Sequence, residues 1–293
     1  MLKKSALTLL IICLALNLYA FDWISLHEKG DRVTLEQVKE NIDKNPNSLE
    51  DLYVLGLVYL NLHKDQEAKE AFGKVAIIQP DSLEAKWGVA ECLRRQKKLE
   101  ESKSILEEII KKRPDFYPAY ITLAYIKYRQ TDFNGAVRLA LKVMKADPEK
   151  VDLSNHTRSY LIYGGAKGMI ASRGGPLSKL INGTAVLPNL KKAEKLQPDS
   201  AIVLFGLGSF YFLAPRIAGG GLEKAEKYLK RAIEADSLLV DSYVRLAQVY
   251  KAKGDSTKYE ELIYKASEID PDNELLMDEL GGVCSFNCVT VEE

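Results

Sequence analysis

What this sequence has little of narrows its chemistry before any motif is read. Of its 293 residues, three are histidine, four cysteine and two tryptophan. His27, His63 and His156 stand far apart, and none lies four from another on a helix, so no paired metal-ligand spacing exists. Of the cysteines, Cys92 falls at a core position of a predicted helix and reads as a small buried hydrophobe. Cys284 and Cys288, four apart near the C-terminus, either close a local disulfide in an oxidising compartment or stay two free thiols. No nucleophile elbow and no phosphate-binding Gly-Lys-Ser/Thr loop occurs, so no catalytic residue, metal or cofactor is expected. Charge of one sign is missing too: Lys plus Arg and Asp plus Glu are 41 each, which leaves no basic stripe for nucleic acid.

What is present starts with a leader. Lys3 and Lys4 precede an apolar run from Ala6 to Leu16, and Ala20 offers a small residue for cleavage. That is the three-part pattern of a secretory signal peptide over 1–20, leaving a chain that starts at Phe21. The run is shorter than the ~20 residues of a membrane span. Cys13 lies in it as the one candidate for lipidation, but Ile12 sits where a lipoprotein signal wants a small residue. Membrane association is therefore expected only if the leader is uncleaved or lipidated. The expected location is extracytoplasmic, in a bacterial periplasm.

The rest of the chain is periodic. Pro46, Pro80, Pro114 and Pro148 are each 34 residues apart, and Pro198 and Pro271 continue the series after insertions. Between Leu49 and Ser82, Leu55, Gly56 and Tyr59 fall on one helix, and Ala68, Phe72 and Pro80 on the next helix and its end. The following segments keep that register with Ala90 and Leu106, Ala124 and Val143, Gly208 and Leu229, and Ala247 and Ala266; Ser237 stands where one Pro would be. Ahead of them, Leu35, Val38 and Ile42 give one apolar helix face, with Thr34 and Gln37 spaced as a capping box.

This pattern resembles the tetratricopeptide-repeat (TPR) family. The resemblance implies an all-α fold, a right-handed α-solenoid of helix-turn-helix repeats with a concave face lined by first helices. The chain divides into a signal peptide (1–20), an N-terminal segment with a half-repeat helix (21–48) and three regular repeats (49–150). A repeat with a 16-residue insertion (151–200), one with a Gly-rich insertion (201–239), a last repeat (240–273) and a tail (274–293) follow.

The two insertions are where the period breaks. Pro148 to Pro198 is 50 residues, 16 more than the period, and Pro198 to Ser237 is 39, five more. In the first, Tyr160, Tyr163 and Gly164 start a lengthened first helix, or Gly164 and Gly165 are the turn itself. The second leads through Gly219, Gly220 and Gly221 into a helix near Leu222. Such a loop can cradle an anion on its N–H groups, with Arg173 and Arg216 adding charge; its plainer reading is a lengthened turn. The Gly-Gly-then-helix pattern is faintly similar to the T-component proteins of TRAP transporters, which implies a small-ligand accessory protein for solute uptake as an alternative.

The family's groove positions map here to Tyr53, Trp87, Glu91, Arg94, Tyr125, Tyr128, Arg129, Phe205, Phe212 and Arg245. Aromatics and Arg are the residue types enriched at binding hot spots; the plainer reading is that several pack between repeats. The expectation is an adaptor that binds a protein or peptide segment. A homo-oligomeric scaffold is the other alternative.

Overall fold

The computed structural model of the protein describes residues 22–281. The leader, Cys284 and Cys288 lie outside the described residues. The architecture is all-α, a solenoid of helical hairpins. In chain order the helices are α1 (Trp23–Gly30), α2 (Leu35–Lys44), α3 (Leu49–Asn61), α4 (Asp65–Ile78), α5 (Leu83–Arg95) and α6 (Leu99–Lys112). Next come α7 (Tyr117–Arg129), α8 (Phe133–Met144), α9 (Leu153–Arg173), α10 (Pro176–Gly183) and α11 (Val186–Leu196). The last are α12 (Ala201–Leu213), α13 (Leu222–Ala235), α14 (Val240–Ala252), α15 (Ser256–Ile269) and α16 (Glu274–Gly281). The chain divides into two compact units between Ile105 and Leu106.

Local chemistry sets the helix ends. The capping box is formed at α2: Gln37 N donates to Thr34 Oγ1 at 3.3 Å and Thr34 N to Gln37 Oε1 at 2.9 Å. Ser48 and Ser82 cap α3 and α5 by accepting from Asp51 N and Ala85 N. Asp132, Asp152 and Asp255 do the same for α8, α9 and α15. Asn45, Gln79 and Gln197 precede Pro46, Pro80 and Pro198 and share nearly one conformation, with φ of −142°, −130° and −139° and ψ of 83°. A following proline excludes the helical region, so each second helix stops there. Ser237 replaces that proline, yet Asp236 keeps the same extended turn, and its Oδ1 accepts from Leu238 N.

The turn inside each hairpin uses a different device. His63, Lys97 and Thr131, 34 residues apart, have φ of 57°, 63° and 61°, and Gly254 takes the equivalent place with φ of 79°. Only glycine enters that left-handed region without steric penalty.

In unit 1, Phe72 of α4 is fully buried. A Cβ on Gly56 or on Gly88 would lie within 2.5 Å or 2.4 Å of its ring. One phenyl ring thus fills the notches of two first helices, which is why the motif wants small residues there. Ser102 takes a motif alanine's place and, fully buried, donates Oγ–H to Ala90 O. In unit 2 the same contact recurs between Gly208 and Leu229, inside a core of Val203, Leu207, Leu246 and Val249.

Two elements are additions to the sequence reading. Helix α1 precedes the half-repeat and packs on α3. The first insertion is a long first helix, α9, and not a turn at Gly164. A Cβ on Gly164 would meet Leu190 and the Val186 carbonyl at 3.4 Å, so this glycine is a packing notch for α11. The rest of the insertion forms α10.

Candidate functional site

The candidate groove residues fall into three groups. In unit 1, Tyr53 and Trp87 are closed off by α1. His27 Nε2 is 2.9 Å from Tyr53 Oη, and the His27 ring lies 4.9 Å from Trp87 and 5.7 Å from Trp23. Tyr53 and Trp87 are 0% and 3% exposed, so both are packing residues. This corrects their placement on an open groove. The reason is tertiary: His27 carries no periodic signal, and nothing short of the folded chain puts it on Tyr53.

Glu91 is 4% exposed and is gripped by two arginines. Arg94 Nε and Nη2 donate to its two oxygens at 2.9 and 2.6 Å, and Arg95 Nε at 3.3 Å. Arg95 Nη1 also reaches Leu60 O and Asp65 Oδ1. Glu91 therefore fixes guanidinium groups on α5, where the sequence reading had it facing a partner. The neighbouring Cys92 is fully buried, and burial with the Glu91 charge pushes its thiol up to about 12. It stays protonated and unreactive, in keeping with a core hydrophobe.

In unit 2, Tyr125, Tyr128, Arg129, Phe205 and Phe212 are half-buried on first helices. Tyr128 packs on Phe133 at 5.5 Å. Arg129, at the end of α7, pairs with Glu274 at the start of α16, four repeats later. Arg245 lies on the first-helix face with its guanidinium 5.7 Å from the Phe212 ring. It is 2% exposed, and burial pushes its ionisation down. Its Nη1 donates to Gln248 Oε1 at 2.7 Å, and Gln248 donates to Glu279. Like Tyr53, it is enclosed, which corrects its reading as an open groove residue.

The glycine loop does not offer the donors that an anion cradle needs. Gly219 N donates to Arg216 O, Gly220 N to Pro215 O and Gly221 N to Tyr211 O, at 3.0, 3.1 and 2.8 Å. Gly219 has φ of 93°, and a Cβ on Gly220 would fall 1.7 Å from Ala214 O. The glycines are there to fold a tight turn. Arg173 covers the Phe133 ring at 4.8 Å, and Arg216 is exposed.

Two networks on second helices escaped the sequence reading. Tyr228 donates to Glu194, and Lys191 donates to both. Glu226 accepts from Lys253 and Tyr250 and is paired with Lys230, and these hydrogen bonds hold its carboxyl down at about 2. Charges four apart, such as Glu226 and Lys230, were the one visible signal. Among the described residues no group of His, Cys, Asp or Glu could hold a metal, and no helix is long and apolar enough to cross a membrane.

Residues 64–124 and residues 240–273 each match a family model described as tetratricopeptide repeat. No curated protein matches the chain. Among solved structures, the Cut9–Hcn1 hetero-tetramer of the APC/C superposes with a TM-score of 0.60 at 16% identity, over 92% of this chain and 50% of that one. A tetratricopeptide repeat protein from Parabacteroides merdae gives 0.55 at 14% identity, over 84% and 90%. A monomeric IFIT1 mutant with Gppp-AAAA gives 0.60 at 17%, over 84% and 57%. At these identities the likeness is one of fold, and the chain spans half the length of the first of them.

Proposed function

Because this chain belongs to the tetratricopeptide-repeat family, we propose that it is a protein–protein interaction adaptor whose binding face is the first-helix side of unit 2. The observation that carries the reading is the half-buried set Tyr125, Tyr128, Phe205 and Phe212 on the first helices of unit 2. Aromatic rings that keep part of their surface in water can bury it against a partner at little entropic cost, since each has two side-chain torsions. Tyr53, Trp87 and Arg245 are poor probes of this face, because truncating an enclosed side chain tests folding.

The test is a crosslinking pull-down from the native host with the full chain, followed by the double variant Tyr125→Ala with Phe205→Ala. The expected result is a reproducible protein partner whose capture falls at least ten-fold in the variant, the scale of truncating one hot-spot residue. Unchanged capture, with an unchanged melting temperature, sinks the assignment of the face.

The binding is proposed to take place outside the cytoplasm. Lys3, Lys4, the run from Ala6 to Leu16 and Ala20 support this. A mature N-terminus at Phe21, read by mass spectrometry of the chain purified from its host, is the expected outcome. An intact Met1 on a cytoplasmic chain would contradict it.

A further inference from the structure

Helix α10 is packed inside out. On a surface helix the apolar side chains face the core and the polar ones face water. Here Ser178 and Asn182, four apart, face inward: Ser178 Oγ donates to Ile170 O at 3.1 Å, and Asn182 Oδ1 accepts from Lys167 Nζ at 2.9 Å. Leu177, Leu180 and Ile181, spaced three and four apart on the other side, are 69%, 65% and 59% exposed. Among the described residues no side chain covers this stripe.

The second insertion repeats the theme. Ile217 is 99% exposed at the tip of the loop after α12. Helices α9 and α12 are the first helices of consecutive repeats, packed where Leu161 meets Gly206. The second helix between them runs back, so α9 and α12 run the same way. The segments that follow them, 174–185 and 214–221, therefore leave from one edge of unit 2.

The two inserted segments carry charge of one sign, and the nearest carboxylates are Glu223, at the start of α13, and Asp132, at the cap of α8. No Asp or Glu occurs from 153 to 193 or from 200 to 222, in a chain whose charges otherwise balance. Arg173, Lys179 and Arg216 are exposed there.

We propose that this edge is a membrane-docking site: Leu177, Leu180, Ile181 and Ile217 insert into a lipid surface whose anionic headgroups face Arg173, Lys179 and Arg216. Apolar side chains ringed by Lys and Arg bind a bilayer interface through both terms at once. A second copy of the chain is the poorer occupant. A two-fold contact through this patch sets each cation near its own symmetry mates, with no carboxylate inside either inserted segment to offset them. A protein groove is poorer too, since these side chains project from a short helix and a loop tip as separate knobs. Lipid tails need no matching holes. The inference is independent of the adaptor reading, which uses first-helix residues.

The experiment uses the full chain with Ile217→Trp and vesicles of pure phosphatidylglycerol or pure phosphatidylcholine carrying bromine-labelled acyl chains. Quenching beyond that of the chain carrying only its native Trp23 and Trp87 reports insertion at this edge, whatever the leader does. The expected result is quenching on phosphatidylglycerol vesicles that is several-fold weaker on phosphatidylcholine. It disappears when Leu177→Ser, Leu180→Ser and Ile181→Ser are added, with an unchanged melting temperature. Lys179→Gln with Arg216→Gln weakens binding roughly thirty-fold at low salt, from two lost surface attractions of about 1 kcal/mol each. Vesicle binding without quenching at position 217 overturns the proposal. So does a doubled mass in sedimentation that the three serine substitutions abolish, which would assign the stripe to a second copy.

Discussion

At the scale of single residues, the repeat depends on a few positions where backbone or volume leaves no choice. Thr131 holds a left-handed conformation at φ of 61°, the worst case for a β-branched side chain. Thr131→Gly is expected to stabilise the protein by about 1 kcal/mol, less whatever is lost to the greater freedom of glycine in the unfolded chain. The denaturant midpoint with unchanged slope is the measurement; a lower midpoint would mean that Thr131 makes contacts worth more than its strain. His63 and Lys97 share the conformation, so the period fixes the backbone there more strictly than the side chain.

The same scale holds the clearest pH effect. Glu226 has its carboxyl held down at about 2 by hydrogen bonds from Lys230, Lys253 and Tyr250. Its folded-state value lies below the ordinary carboxylate value, so the folded form binds this proton less readily than the unfolded chain does. The stabilisation is present above about pH 4.5 and is lost as the pH falls towards 2. The group is half-buried among its partners, so salt screens part of the effect. Glu226→Gln is expected to flatten that stretch of the acid unfolding curve, followed by circular dichroism, and to leave the curve above pH 6 parallel to wild type. An unchanged acid limb would remove Glu226 from the account.

At the scale of elements, stability is shared between neighbours. Phe72 fills notches in α3 and α5 at once, so Phe72→Ala is expected to cost about 3–5 kcal/mol. In a helical-repeat array each repeat leans on the next, so the loss should spread along unit 1 and fade with distance. Hydrogen exchange should show lost protection in residues 49–95 and little change in 240–269. Uniform loss through both segments would show a chain that unfolds as one cooperative unit. Helices α1 and α10 belong to this scale as well, and neither was expected. Helix α1 is eight residues long, with Asp22 as its cap and one turn of apolar contact, and it is outside the 34-residue period. Helix α10 has its apolar stripe on the solvent side, so reading the stripe as core-facing would place it backwards.

At the scale of the whole molecule, the evenly spaced prolines, the small residues at Gly56, Gly88 and Gly208, and the serine and aspartate caps all act within about one repeat. They were legible because each is a local rule repeated, and repetition lifts a weak signal above chance. That was enough for the all-α repeat fold. The groove was legible only as a set of register positions. Register tells which way a side chain points along its own helix, but not what else arrives there. His27 reaches Tyr53 across 26 residues, and Glu274 reaches Arg129 across more than a hundred. Such meetings depend on how far successive hairpins rotate, a sum of small packing angles that no local pattern encodes.

The amino-acid sequence by itself determined the helices of the regular repeats, their ends and their pairing, because propensity, capping and turn chemistry are satisfied among near neighbours. The tertiary structure decided which aromatic and arginine side chains are enclosed and which stay open to a partner. It also decided that the glycines at 219–221 spend their donors on their own turn, and that α10 keeps its leucines in water. Burial and hydrogen-bond satisfaction belong to the assembled chain, where distant segments compete for the same surface.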